Sequence, residues 1–160
     1  MTVDDVMAAQ ARLGHMERAL EEARAAAERG EVPVGAVLVA PDGRIVATAG
    51  NRTREQSDPS AHAEMLVIRA GAAELGSERL IDHDLYVTLE PCPMCAAVIS
   101  FARIRRLYYG ASDPKSGGVE HGPRIFNQMT CHHRPDLYPG LGEMEAAALL
   151  REFFATRRLD

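Results

Sequence analysis

The sequence has no tryptophan, and aromatic residues make up only 5% of it, so recognition by stacking would rest on few side chains. No apolar run approaches the ~20 residues that a membrane span needs. The N-terminal stretch is acidic at Asp4 and Asp5 and lacks an apolar block, which does not suit a secretory leader and makes the cytoplasm the expected location. There are three cysteines, Cys92, Cys95 and Cys131. An odd, low count favours reduced thiols or metal ligation over a disulfide framework. Positive charge is also short: 18 Lys and Arg against 23 Asp and Glu leave a net charge of −5. That argues against a broad basic surface gripping nucleic acid at any site, and leaves room for a local basic patch.

What is present suits a single globular domain over residues 1–160: hydrophobic residues are 46% and charged residues 26%. A helical period starts at Met16 and runs through Ala19, Leu20, Ala23, Ala26 and Ala27 until Gly30 stops it. Residues 1–14 read as a loose extension or an early helical turn. Residues 32–40 form an apolar, β-branched strand, 41–43 a turn, and 45–49 a second strand. Residues 51–60 are polar and loop-like. Asp58 and Pro59 read as the N-cap and first turn of a helix whose apolar face is Met65, Ile68, Ala72 and Leu75. Residues 85–89 form a strand, Pro91 opens a helix to about Phe101, and 107–109 form another strand. Residues 111–140, rich in Gly, Pro, Asp and His, read as surface loop, and 143–158 as a last helix. This alternation implies an α/β layered domain.

Two segments carry chemistry: His62-Ala63-Glu64 and Pro91-Cys92-Pro93-Met94-Cys95, each at a helix start. Residues three apart on a helix lie about 60° from each other, so Cys92 and Cys95 can reach one ion. With His62 they make three ligands suited to zinc, and three leave a fourth position for water, as catalytic zinc sites do. Helix N-termini favour thiolate over thiol. Glu64 is poorly placed to be a second ligand from the same turn but can reach the open position, where a carboxylate takes a water proton and hands it on. A lone Cys-x-x-Cys also occurs in redox pairs and structural zinc sites. The two segments together favour catalytic zinc. Cys131, His132 and His133 have no spaced partner group and read as loop residues rather than a second metal site.

His-x-Glu followed by Pro-Cys-x-x-Cys is the signature of the zinc-dependent deaminases, a standard instance of enzymes that act on a base taken out of its stack. The sequence resembles, more narrowly, the bacterial tRNA-specific adenosine deaminases. The likeness lies in EVPVGAVLV (31–39), Asn51-Arg52, DPSAHAE (58–64), LYVTLEPCPMC (85–95), SFARIRRLYYGASDPKSGG (100–118) and LLREFFATRR near the end. It implies a three-layer α/β/α fold of the cytidine-deaminase type with a mixed five-stranded sheet, one zinc per chain held by His62, Cys92 and Cys95, and Glu64 as the catalytic proton carrier. It implies a homodimer acting on the wobble adenosine of a tRNA anticodon stem-loop, converted to inosine with release of ammonia. Asn51 is then expected at the base and Val34 in its pocket. The backbone at Ala63 is expected to help hold water and base. Asp113 and Lys115 fall at the RNA backbone, with Phe154, Arg157 and Arg158 on the helix near the RNA. Ser112 stands where many relatives carry a basic residue. Arg103, Arg105 and Arg106 read first as a solvated face.

The main rival is a deaminase of free guanine or cytosine, because the same cysteine motif occurs there. A second rival is a non-catalytic zinc module, against which Glu64 argues, since an inactive module has no chemical need for it.

Overall fold

The computed structural model describes residues 1–157; Arg158, expected near RNA, lies outside the described residues. Four helices, α1 (Val3–Glu28), α2 (Ala63–Leu75), α3 (Pro93–Phe101) and α4 (Glu143–Arg157), surround five strands. The strands are β1 (Gly35–Val39), β2 (Ile45–Gly50), β3 (Asp84–Leu89), β4 (Arg106–Ala111) and β5 (Asp136–Pro139). They lie in the order β2-β1-β3-β4-β5. β1 runs antiparallel to β2 and β3, while β3, β4 and β5 are mutually parallel, so the five-stranded sheet is mixed as expected.

The period-two pleat divides the core into two layers. Ala36, Leu38, Leu85, Val87, Leu107 and Tyr109 face α2 and α3. Val37, Val39, Tyr86 and Tyr108 face α1 and α4. Helices therefore cover both faces, which is the three-layer α/β/α arrangement. Gly35 lets α1 approach the sheet closely: a Cβ there would stand 1.9 Å from the Ala19 carbonyl oxygen.

Four sequence expectations change. Residues 1–14 are not a loose extension, because α1 begins at Val3 under a capping box in which Thr2 Oγ1 accepts from the Asp5 amide and Asp5 Oδ2 from the Thr2 amide. α2 starts at Ala63 rather than Pro59. Asp58 instead closes a local turn by accepting from the Ser60 amide (2.8 Å) and hydroxyl (2.7 Å). α3 starts at Pro93, with Cys92 as its N-cap. Finally, 111–140 is not all loop: it contains a 3₁₀ turn, Ile125–Asn127, and β5. β5 is four residues long and pairs only with β4, so its evidence lies in its partner rather than in its own pattern.

Candidate metal centre and substrate groove

The metal candidates converge from two helix starts. Cys92 is the N-cap of α3 and Cys95 lies one turn in; Pro93 takes the first helical position, where its missing N–H costs nothing. His62 is the N-cap of α2 in extended backbone. Its Nδ1 lies 3.6 Å from Cys92 Sγ and 3.5 Å from Cys95 Sγ. A tetrahedral ion with bonds of about 2.3 Å to sulfur and about 2.0–2.1 Å to nitrogen sets neighbouring S and N ligands about 3.6 Å apart. The spacing therefore fits zinc without rearrangement. Among the described residues this is the one cluster of three His, Cys or acidic groups with metal-ligand spacing.

The electrostatics agree. The Cys92 thiol is brought down to about 4, first by its hydrogen bond with Cys95 and further by His62, against the opposing effect of burial. Cys95 is pushed up by the same bond and by burial. His62 is raised, chiefly by Cys92. A thiol held low in this way is ready to bind a cation as thiolate.

Glu64 is buried on the first turn of α2, and its Oε1 has no hydrogen-bond partner. Burial raises its pKa, outweighing the proximity of His62. A native interior rarely leaves such an oxygen unpaired, so this atom marks a place where something from outside the chain binds.

Asn51 is buried at the end of β2, and its Oδ1 accepts from the Ala63 amide at 2.8 Å. The Ala63 N–H thus already has a side-chain acceptor in Asn51. Val34 is 5% exposed and packed in the α2–α3 layer of the core, with its carbonyl accepting from the Asn51 amide.

Asp113, Lys115, Phe154 and Arg157 come together, with Val32 and Leu89, around a groove of about 620 Å³. Arg157 is partly spent there: it donates to the Gly30 carbonyl at 2.9 Å and lies over the Phe153 ring. Arg105 makes a two-pronged contact with Asp84, and Arg106 lies 3.6 Å from the same carboxylate, so both serve the β3–β4 end. Cys131 and His133 are engaged separately: Cys131 Sγ donates to the His133 carbonyl and His133 Nε2 meets the Ile104 carbonyl. They join no metal cluster.

Two residues escaped the sequence reading. Glu31 is buried and accepts from the amides of Arg54 and Glu55, pinning the segment after Asn51. Glu90 is buried beside the cysteine turn and accepts from the loop carrying Asp113. EVPVG and LEPC display both glutamates, but nothing local shows that their partners are backbone amides more than twenty residues away.

The zinc-binding region that defines the cytidine and deoxycytidylate deaminases matches residues 10–111. The tRNA-specific adenosine deaminase of Agrobacterium fabrum is 66% identical over 145 residues, which cover 91% of this chain and 95% of that protein. A solved structure from a study of A-to-I editing by tRNA:A34 deaminases at the wobble position matches with a TM-score of 0.84 at 66% identity, over 86% of this chain and 99% of that one. Guanine deaminase from Nitrosomonas europaea matches with a TM-score of 0.77 at 24% identity, over 89% of this chain and 84% of that one, a likeness of fold alone. The chain belongs to the zinc-binding cytidine and deoxycytidylate deaminase family, in the branch of the tRNA-specific adenosine deaminases.

Proposed function

We propose that this chain is a hydrolytic deaminase that converts the wobble adenosine of a tRNA anticodon to inosine. The observation that carries the chemistry is the His62–Cys92–Cys95 trio at zinc spacing beside Glu64, whose Oε1 has no partner. Near-full-length identity to a tRNA-specific adenosine deaminase carries the substrate.

His62 Nδ1 and the sulfurs of Cys92 and Cys95 hold the ion. When bound, zinc supplies Lewis acidity that lowers the pKa of water from about 15.7 toward about 7. Glu64 takes one proton of the attacking water and passes it to a ring nitrogen of the base; it then takes the second from the hydroxyl added at the ring carbon and delivers it to the amine, which leaves as ammonia as the C–N bond breaks. Its raised pKa suits a group that must both accept and return a proton near neutral pH. Asn51 uses its oxygen on Ala63, which fixes the amide plane and leaves its NH₂ to donate to the flipped base. Val34 backs that pocket. Asp113 and Lys115 meet the RNA backbone, and Phe154 and Arg157 border it from α4.

The reading includes one zinc per chain, a cytoplasmic setting where tRNA is used, and a homodimer. Exposed Met94 and Phe101 on α3 offer apolar surface for a second copy. The test is ammonia release from guanine, cytosine, adenosine and an anticodon stem-loop offered side by side. Release from the stem-loop alone is the expected result; release from free bases alone sinks the tRNA assignment in favour of the nucleobase rival.

A further inference from the structure

Glu90 directly follows β3 and stands two residues before Cys92. Its side chain is fully buried. Oε1 accepts from the Asp113 amide at 3.1 Å and meets His121 Nδ1 at 2.8 Å. Oε2 accepts from the amides of Val119 (3.2 Å), Glu120 (3.1 Å) and His121 (3.2 Å). Two oxygens thus gather both ends of a loop that has no ladder of its own, and a carboxylate's acceptor capacity is filled. The loop is also seated on the cysteine turn, because the Gly118 amide donates to the Pro91 carbonyl at 2.8 Å. The fit leaves no space: a Cβ on Gly117 would stand 2.2 Å from Glu90 Oε2, and one on Gly118 2.5 Å from the Pro93 nitrogen.

The same loop supplies Asp113 and Lys115 to the groove. Burial of a carboxylate is costly, and here the cost is offset by charge-assisted bonds to backbone N–H groups of one loop. An apolar side chain at this position would leave the four loop amides without their acceptor. We propose that Glu90 is a positioning residue for substrate: it clamps residues 113–121 against the Cys92 turn, so that the groove is held in register with the metal centre. The proposal rests on the tRNA reading for the identity of the substrate, but not for the clamp itself.

The experiment compares zinc-loaded wild type with E90Q, G117A and the double variant on an anticodon stem-loop. E90Q keeps the shape but turns an N–H₂ toward N–H donors. Each single variant is expected to raise KM about tenfold, with kcat within about threefold and zinc content unchanged. The double variant is expected to lose no more than the worse single, because both release the same loop. Hydrogen exchange at the amides of Asp113, Val119, Glu120 and His121 is expected to speed up in E90Q while α2 stays protected. A fall in kcat at unchanged KM, loss of zinc, additive losses or unchanged exchange at those amides overturns the clamp. Should E90Q not fold, H121N removes only the imidazole bond; a KM rise of about threefold supports the proposal and an unchanged KM overturns it. If wild type leaves the stem-loop unconverted, the substrate assignment fails alone, and the four amides, which need no substrate, still judge the clamp.

Discussion

Glu64 and Asn51 are both buried polar residues, and the difference between them defines the site. Glu64 keeps an oxygen with no protein partner, while Asn51 has its oxygen satisfied by Ala63. For Glu64→Gln the expected outcome is unchanged zinc content with activity down about 10²–10⁴-fold, since proton transfer by a placed group is worth that much. Metal analysis alongside single-turnover rates checks it. Asn51 separates two jobs. Asn51→Ala loses the acceptor for Ala63 and is expected to cost about 1 kcal/mol of stability as well as activity. Asn51→Asp keeps the acceptor and loses the NH₂ donor, so its melting temperature should stay near wild type while activity falls. A parallel fall in both quantities for Asn51→Asp would refute the base-contact role. The zinc trio was legible because ligand chemistry is written in short spacings: two cysteines three positions apart and a histidine two before a glutamate. The commitments of Ala63 to Asn51 and of Arg105 to Asp84 were not legible, because each depends on a partner brought in by the fold.

Elements show the same division. β1 and β3 were readable from their apolar character, and α4 from its period, but the start of α2 was misplaced. Asp58-Pro59 is good capping chemistry, yet the Asp58 side chain is used two residues on, and His62 takes the cap position without a side-chain bond. The first half of α1 hides for another reason. Most of residues 3–15 are solvent-facing, so no apolar stripe exists to read, and only the Thr2–Asp5 capping box announces the helix. β5 becomes visible only through register: Tyr86, Tyr108 and Tyr138 are partners across β3, β4 and β5, and their rings stack at 4.4 and 4.7 Å. His15 of α1 lies against the inner end of this row, its ring centroid 5.1 Å from that of Tyr86. Burial lowers the His15 pKa below its ordinary 6.5, with Asp84 opposing. The sign follows from linkage. The unfolded chain takes the proton first, so this contribution is intact above about pH 6.5 and is lost as the pH falls through the folded value. The melting temperature of wild type should therefore drop more steeply between about pH 7 and 5 than that of His15→Gln. Equal slopes in the two proteins would show that His15 does not titrate with folding.

For the molecule as a whole, charge decides how it can hold RNA. The net charge is −5, and Lys115 is the only lysine. Arg105 and Arg106 are turned to Asp84, and Arg157 has a bond to the Gly30 carbonyl. Affinity for the stem-loop should accordingly have a shallow salt dependence, and Lys115→Ala should flatten it by about one phosphate contact. Binding measured across a salt series reads this directly, and an unchanged slope would remove Lys115 from the RNA backbone. Among the described residues no helix is long and apolar enough to cross a membrane. Two helix starts, one on each side of β3 in the chain, bring an imidazole and two sulfurs to a common point, and a buried acid waits beside it. The most direct measurement is base-resolved sequencing of an anticodon stem-loop after incubation with zinc-loaded wild type and with Glu64→Gln of matched zinc content. Inosine at the wobble position with wild type and almost none with the variant is the predicted result; equal inosine from both, or none from wild type, contradicts the account.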